Sequence, residues 1–284
     1  MDVYIKLKIA VLTNFILDLY TKVVLEKTIQ VDTNLEIWRI LRPRKYEDLT
    51  RVGGYKDGGY LVPLKHLRNI TTFVNFGVGE DFDFEIELYR KYGVSKILSY
   101  DSLVSTKYFI IHFLKGLIKF IIFKCGICVV VKRLILLLKF MYFYSLLSNM
   151  KFFKVKIEKL NSEKILSNLP QDSAMKVDIE GSEYSILNII CANKSKLNFI
   201  IIEFHSINYN IDNIINFTKN LGSEFFIAHL SINNLTSDIN LLPQTIEVTF
   251  CRASAKHDDL VDKIPNDKLD WNFPNKPIYQ LNYN

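Results

Sequence analysis

Hydrophobic and polar positions alternate in blocks along the chain, and from residue 72 onwards these blocks predict strands and helices in turn. Strands are predicted at 72–77, 95–100, 152–157, 174–177 and 199–204, and the continuous apolar run at 199–204 is typical of a strand buried on both faces. Apolar residues recur with helical spacing at 81–92, 182–192 and 210–221. Repeated strand–helix units predict a doubly wound, mostly parallel α/β sheet.

The two ends of the chain depart from this alternation. The last strands, at 224–229 and 245–251, have no predicted helix between them, which indicates one antiparallel edge strand. Residues 1–50 are predicted to form an N-terminal helical segment with helices at 1–30 and 35–50, and residues 51–284 form the main domain. Within 51–62, an Asp-Gly pair in a glycine-rich run predicts a tight hairpin.

The segment at about 106–150 forms an insertion in this domain. Its part from 108 to 150 is strongly apolar, yet lysine and arginine interrupt every long apolar run, so a membrane-spanning helix is not expected. We predict two amphipathic helices that break near Cys125 and Gly126. Two interpretations stay open: the helices lie on an anionic membrane surface, or they pack on the domain or in a homo-oligomer.

Composition narrows the functional classes only moderately. The 284 residues are 49% hydrophobic and 23% charged, and the net charge is +6. Because no basic cluster is interleaved with aromatic residues, we expect no nucleic-acid partner. Four cysteines fit a reducing compartment, and Cys125-x-x-Cys128 has no second pair that would complete a zinc site, so we expect no metal. The expected location is cytoplasmic, with peripheral contact at the inner face of the membrane under the first of the two interpretations of the insertion.

A glycine loop follows the first strand of the sheet. Gly77 and Gly79 let the backbone approach a ligand closely, and a predicted helix begins directly afterwards. Asp101 ends the second strand 22 residues beyond Gly79, a spacing that suits a carboxylate binding ribose hydroxyls. A dinucleotide fingerprint has a third glycine, whereas this chain continues with Glu80 and Asp81. Two acids would repel the pyrophosphate of NAD, so they favour S-adenosylmethionine, whose sulfonium and amino groups are positively charged.

A second pair of acids, Asp178 and Glu180, lies at the end of the strand predicted at 174–177. Ligands of open α/β sheets bind just beyond the carboxyl ends of the strands. The run KVDIEGSEY at 176–184 therefore predicts side chains that face a ligand and not the core. The sheet is accordingly predicted to be Rossmann-like, with a nucleotide-type cofactor.

Several segments resemble the FkbM-type S-adenosylmethionine-dependent methyltransferases. The run at 176–184 is similar to that family's Lys-x-Asp-Ile-Glu-Gly-x-Glu signature, and IIEFH at 201–205 and TIEVTF at 245–250 resemble its following strands. DGGY at 57–60 before FGVGED at 76–81 resembles a bacterial subgroup. Asn75 stands where the first methyltransferase motif usually has an acid. The similarity covers about residues 50–105 and 170–252.

The resemblance implies O-methylation of a small-molecule or glycan acceptor, usually a sugar hydroxyl, here in polysaccharide biosynthesis. His205 is the first candidate for the base that removes the hydroxyl proton, because its ordinary pKa suits that step. Asp178 and Glu180 are further candidates for catalysis or for orienting the cofactor. Tyr60 is a candidate wall of the cofactor pocket. The cofactor-binding set is Gly77, Gly79, Glu80, Asp101 and Tyr60.

Two other functions remain possible from the sequence. Asp178 and Glu180 have the acid-x-acid spacing with which a glycosyltransferase could hold a divalent metal on a nucleotide sugar. Alternatively, the chain is a non-catalytic, membrane-associated Rossmann-like protein, which Asn75 leaves open.

Overall fold

The computed structural model of the protein describes residues 28–54, 58–234, 242–253, 259–265, 269–270, 272 and 276–283. Its strands are β1 (Thr28–Gln30), β2 (Leu49–Gly53), β3 (Gly59–Pro63), β4 (Thr72–Phe76), β5 (Lys96–Asp101), β6 (Met150–Lys154), β7 (Ser173–Val177), β8 (Leu197–His205), β9 (Phe225–Asn233), β10 (Thr245–Arg252), β11 (Lys263–Ile264) and β12 (Ile278–Asn282). Its α-helices are α1 (Glu36–Ile40), α2 (Leu64–Arg68), α3 (Asp83–Lys91), α4 (Thr106–Ile121), α5 (Ile127–Met141), α6 (Lys159–Ser167), α7 (Leu187–Ala192) and α8 (Ile211–Leu221).

Seven strands form the central sheet, in the order β6-β5-β4-β7-β8-β10-β9. Neighbours from β6 to β8 pair in parallel, whereas β10 pairs antiparallel with both β8 and β9. The predicted Rossmann-like, mostly parallel sheet with antiparallel pairing at one end is confirmed. The reversed strand is β10, and it lies one position in from the edge. The chain order changes direction between β4 and β7, so a crevice opens at their carboxyl ends.

Both faces of this sheet are covered by apolar residues, which explains why its strands read as continuous apolar runs. In β8, Ile200, Ile202 and Phe204 point into one hydrophobic cluster, whereas Phe199 and Ile201 point into the other. Successive residues of a strand face opposite sides of a sheet, so a strand buried on both sides needs apolar residues throughout.

The N-terminal region differs from the predicted pair of helices. Residues 1–27 lie outside the described residues, and Thr28–Gln30, the end of the first predicted helix, is a strand that pairs in parallel with β12. Only Glu36–Ile40 of the predicted helix at 35–50 is helical. Pro43 cannot continue a helix, and the pairing with β12 joins residues about 250 apart, which a local pattern cannot reveal.

The glycine-rich stretch forms the predicted hairpin, in which β2 and β3 pair antiparallel from Leu49 opposite Pro63 to Gly53 opposite Gly59. Its turn residues 55–57 lie outside the described residues. The insertion forms two helices, α4 and α5, with the break at 122–126. Among the described helices, none is both long and apolar enough to cross a membrane. Helix α6 was not predicted from the sequence.

Candidate functional site

The candidate site lies where β4 and β7 end side by side. The amide of Gly77 donates to the carbonyl of Tyr100 at 2.9 Å, and the amide of Asp178 donates to the carbonyl of Phe76 at 2.8 Å. Gly77 has a φ of +89°, and a Cβ at this position would lie 1.6 Å from the carbonyl oxygen of Asp178. Only glycine therefore allows the two strand ends to meet.

Asp101 holds the glycine loop through the backbone. One carboxylate oxygen accepts from the amides of Val78 and Gly79, both at 3.0 Å. The other accepts from the amides of Leu103 and Val104, at 2.6 and 3.0 Å. Both carboxylate oxygens of Asp101 thus accept hydrogen bonds from the backbone. Asp101 therefore fixes the conformation of the glycine loop, in addition to its predicted contact with a ribose.

An open cleft lies beside this loop and encloses about 510 Å³, including space continuous with solvent. Four of the predicted site residues line it, namely Gly77, Asp101, Asp178 and Glu180. Leu103, Val155, Ile157 and Ile179 supply an apolar wall. The cleft therefore combines an apolar surface with carboxylates.

Lys176 is buried beneath the two strand ends. Its Nζ donates to the carbonyl of Gly77 at 3.2 Å and to a carboxylate oxygen of Asp178 at 3.1 Å. Burial alone would lower the pKa of Lys176, but the negative charges of Asp178, Glu85 and Glu203 outweigh it and raise the pKa. The ammonium therefore stays charged and ties the glycine loop to β7.

Glu183 orients His205. Its carboxylate is fully buried, and one oxygen accepts from the backbone amide of His205 at 2.7 Å and lies 3.3 Å from the ring Nδ1. The other oxygen accepts from the amide of Gly181 at 2.8 Å. This arrangement leaves Nε2 of His205 facing Glu180 and Glu203, whose oxygens lie 3.5 and 3.8 Å away.

The surrounding acids change the protonation of His205. Burial alone would lower its pKa, but the hydrogen bond to Glu183 and the charges of Glu203, Glu183 and Asp178 raise the pKa to about 9. At neutral pH the imidazole is consequently protonated. His205 can act as a base only after the imidazolium has lost its own proton, so its pKa has to be lowered first.

His205 and two of these acids form the one group of three histidine, cysteine or acidic side chains in the described part of the chain that could share a metal ion. Ligand atoms of Asp178, Glu203 and His205 all lie within 4.8 Å of one another. Lys176 already neutralises Asp178, so a cation there would compete with the ammonium. Glu180 is 84% exposed at its side chain and is not among these ligand atoms. The acid-x-acid pair therefore does not form the metal site that the glycosyltransferase alternative needs.

Four of the eight predicted site residues do not line the cleft, namely Gly79, Glu80, Tyr60 and His205, although Nε2 of His205 lies 3.5 Å from the cleft-lining Glu180. Glu80 accepts a hydrogen bond from the hydroxyl of Tyr108 and lies 3.6 Å from Nδ1 of His112, both on α4. Tyr60 is buried, and the ammonium of Lys176 lies 5.0 Å from the centre of its ring. Neither residue lines the cleft. Gly79 is exposed beside it, with open space where a Cβ would lie.

The backbone is strained on both sides of the site. Glu180, after β7, has a φ of +52°, and Ser206, after β8, has a φ of +50°. A left-handed conformation is unfavourable for a side chain with a Cβ, and it often marks functional positions.

Sequence reasoning missed three members of this cluster: Lys176, Glu183 and Glu203. Lys176 and Glu203 carried a usable signal, because a charged residue inside a strand buried on both faces needs a buried partner. Glu183 gave only the weaker signal of an acid in the first turn after a strand.

No family model and no curated protein matches this chain, but solved structures resemble it. An rRNA methylase from Streptococcus thermophilus has 12% identity, covers 66% of this chain and 92% of its own, and gives a TM-score of 0.37. Precorrin-6y C5,15-methyltransferase from Geobacter metallireducens GS-15 has 11% identity with coverage of 67% and 86% and a TM-score of 0.37. M. jannaschii TYW2 in complex with AdoMet has 10% identity, coverage of 74% and 89%, and a TM-score of 0.35. Because these identities and TM-scores are low, the fold is assigned from the observed strand order of the sheet and not from the similar structures. The comparisons do not identify the acceptor.

Proposed function

We propose that the protein is an S-adenosylmethionine-dependent O-methyltransferase. The observation that carries this proposal is the cleft at the ends of β4 and β7, with the glycine loop on one side and His205 held by Glu183 nearby. The resemblance of the run at 176–184 to the FkbM-type signature supports the same reading.

The charges around the site suit a cationic cofactor. Four carboxylates surround the two cationic side chains Lys176 and His205, and they belong to Asp178, Glu180, Glu183 and Glu203. The excess negative charge favours a positive ligand. The glycine backbone and Asp178 would hold the amino-acid part of S-adenosylmethionine, and the apolar wall its adenine. When bound, this cofactor supplies a methyl group activated by the sulfonium.

The chain itself has to position the acceptor and take up one proton. His205 would take up the hydroxyl proton of the acceptor at Nε2 when the methyl group is transferred. Glu183 keeps the ring in place for this proton transfer. A cation held beside Asp178 would lower the pKa of His205, because like charges disfavour the imidazolium, and would so favour the neutral ring that can accept a proton.

We further propose that the acceptor is a sugar hydroxyl in surface polysaccharide or glycoconjugate biosynthesis. The FkbM-type resemblance supports a sugar, and the basic insertion supports an acceptor at the inner face of the membrane. One of the three similar proteins named above is an rRNA methylase, so RNA is tested as an acceptor as well.

Transfer of a labelled methyl group tests this function. Full-length protein is incubated with methyl-labelled S-adenosylmethionine and a cell extract, and the product is split into lipid-linked glycan, polysaccharide and RNA fractions. We expect label in a glycan fraction, and a loss of about 10²-fold or more in His205→Gln, which lacks the base. Label released only by ribonuclease would reject the sugar acceptor, and no transfer to any fraction would reject the methyltransferase.

A further inference from the structure

Helices α4 and α5, with the linking residues 122–126, form a helical hairpin whose far end is exposed. Every residue from Ile118 to Val129 is exposed except Cys125, which is half-buried. Phe123 is 96% exposed and Ile121 is 70% exposed. Most of the large exposed apolar side chains in the described chain belong to this hairpin, and such a patch marks an interaction surface.

The near end of the hairpin is built into the core. Phe109 of α4 and Phe140 of α5 are buried with ring centres 4.6 Å apart, and Phe82 and Phe152 pack on Phe140. Farther out, the guanidinium of Arg133 donates to the carbonyl of His112 at 2.9 Å. The two helices are therefore joined to each other and anchored to the sheet, so the exposed end is a fixed feature and not a loose loop.

The charge of this region has one sign. Residues 102–157 contain ten Lys and Arg and no Asp or Glu, so the segment carries +10. The remaining chain holds 26 Lys and Arg against 30 Asp and Glu, a net charge of −4. The positive balance of the whole protein thus comes from the segment that also exposes the apolar side chains.

We propose that the hairpin docks on an anionic lipid bilayer. Apolar side chains at its tip enter the headgroup boundary while Lys119 and Lys124 meet lipid phosphates, the arrangement of interfacial helices. A second copy of this chain fits the surface less well, because it would place the seven Lys and Arg of one hairpin against the seven of the other. An entirely apolar partner would leave the lysines without counter-charges.

Docking would tether the candidate site to the membrane at a distance set by the length of the hairpin, about 24 Å for the 16 residues of α4. Tyr108 and His112 of α4 contact Glu80, and Lys139 of α5 forms an ion pair with Asp83, so the near end of the hairpin rests on the start of α3. A lipid-linked acceptor would have to extend from the membrane along the hairpin to reach the cleft. This last consequence rests on the proposed methyl transfer, whereas docking itself does not.

Vesicle flotation of the full-length protein tests the docking. We expect flotation with phosphatidylcholine vesicles that contain about 30% phosphatidylserine at low salt, and release at high salt or without the anionic lipid. Phe123→Asp and the double variant Lys119→Gln/Lys124→Gln should each weaken partitioning about tenfold or more. Leu160→Asp and Lys159→Gln/Lys164→Gln are matched controls on exposed positions of α6 and should float like the wild type.

A tryptophan reporter locates the contact. Phe123→Trp should be quenched by brominated lipid, and Leu160→Trp should not. No flotation at low salt, or equal loss in the α6 controls, would overturn the proposal. Concentration-dependent dimerisation that Phe123→Asp abolishes, without flotation, would assign the surface to a second copy instead. Flotation without any methyl transfer would keep the docking surface and reject only the proposed function.

Discussion

His205 shows how neighbouring charges decide what a side chain can do. The residue was predicted as a base from its ordinary pKa, yet three acids favour its protonated form. The buried Glu183 matters most for position, because it contacts both the backbone and the ring of His205. The role of His205 stays a prediction, and its protonation state can be measured directly.

Nuclear magnetic resonance titration of the ring protons tests this environment. We expect His205 to titrate at about 9 in the wild type. In Glu183→Gln the pKa should fall towards the ordinary value of about 6.5, because a neutral amide no longer favours the imidazolium. His66, whose pKa is lowered by burial, serves as the internal control and should not move. A His205 pKa near 6.5 in the wild type would contradict the described geometry.

A second buried acid, Glu85, contacts the strand that leads into the glycine loop. The amide of Asn75, in β4, donates to the carboxylate of Glu85, in α3, and both residues are almost fully buried. One oxygen of each side chain has no hydrogen-bond partner in the described structure. A carboxylate of the neighbouring helix thus contacts position 75, which itself carries no acid. Burial raises the pKa of Glu85 from its ordinary 4.5 to about 7.

This shift predicts how stability depends on pH. Between pH 4.5 and 7 the folded chain keeps a proton that the unfolded chain has lost, so Glu85 lowers the free energy of unfolding as pH rises. Glu85→Gln should leave stability unchanged below pH 4.5 and raise it by about 3 kcal/mol above pH 7. Urea unfolding across this range measures the difference, with the exposed Glu163→Gln as control. An equal gain at every pH would show that ionisation is not the cause.

Gly181, in the turn after β7, and Gly126, in the turn between α4 and α5, differ in what the backbone requires of them. Gly181 follows the strained Glu180 with a φ of +94°, and its amide donates to Glu183. Gly126, between α4 and α5, has a φ of −80°. A Cβ at either glycine would meet no atom within 4 Å, so the two positions differ in backbone conformation and not in space.

The two glycines form a matched pair for mutation. Gly181→Ala should lower the free energy of unfolding by about 2 kcal/mol, because a φ of +94° is open mainly to glycine. Gly126→Ala should change it by less than about 0.5 kcal/mol. Urea unfolding of both variants measures this. Equal effects would mean that the turn after β7 is not strained.

The central strands and helices could be predicted because each is a local pattern. The run at 199–204 predicted a strand buried on both faces. Strand β8 contains this run, begins two residues before it and ends one residue after it. The strand Thr28–Gln30 could not be predicted, because its partner lies at the other end of the chain. Helix α6 was missed because its apolar positions are few and weakly periodic.

In the whole molecule, the sheet order brings together residues far apart in sequence. Asp101 is the last residue of β5, Asp178 follows β7, and His205 is the last residue of β8. Because these strands are parallel, their ends lie at the same edge of the sheet. That much of the site could be predicted from strand ends alone. The grip of Asp101 on four backbone amides could not, because loop conformation sets it. Neither could the exclusion of Glu80 and Tyr60 from the cleft.

Calorimetric titration of the full-length protein with S-adenosylhomocysteine tests the cofactor site most directly. We expect micromolar binding in the wild type. Leu103→Arg places a bulky cation on the cleft wall and should weaken binding about tenfold or more, whereas the matched Leu160→Arg, on exposed α6, should bind normally. No heat of binding in the wild type, or equal loss in both variants, would contradict the assignment of this cleft to the cofactor.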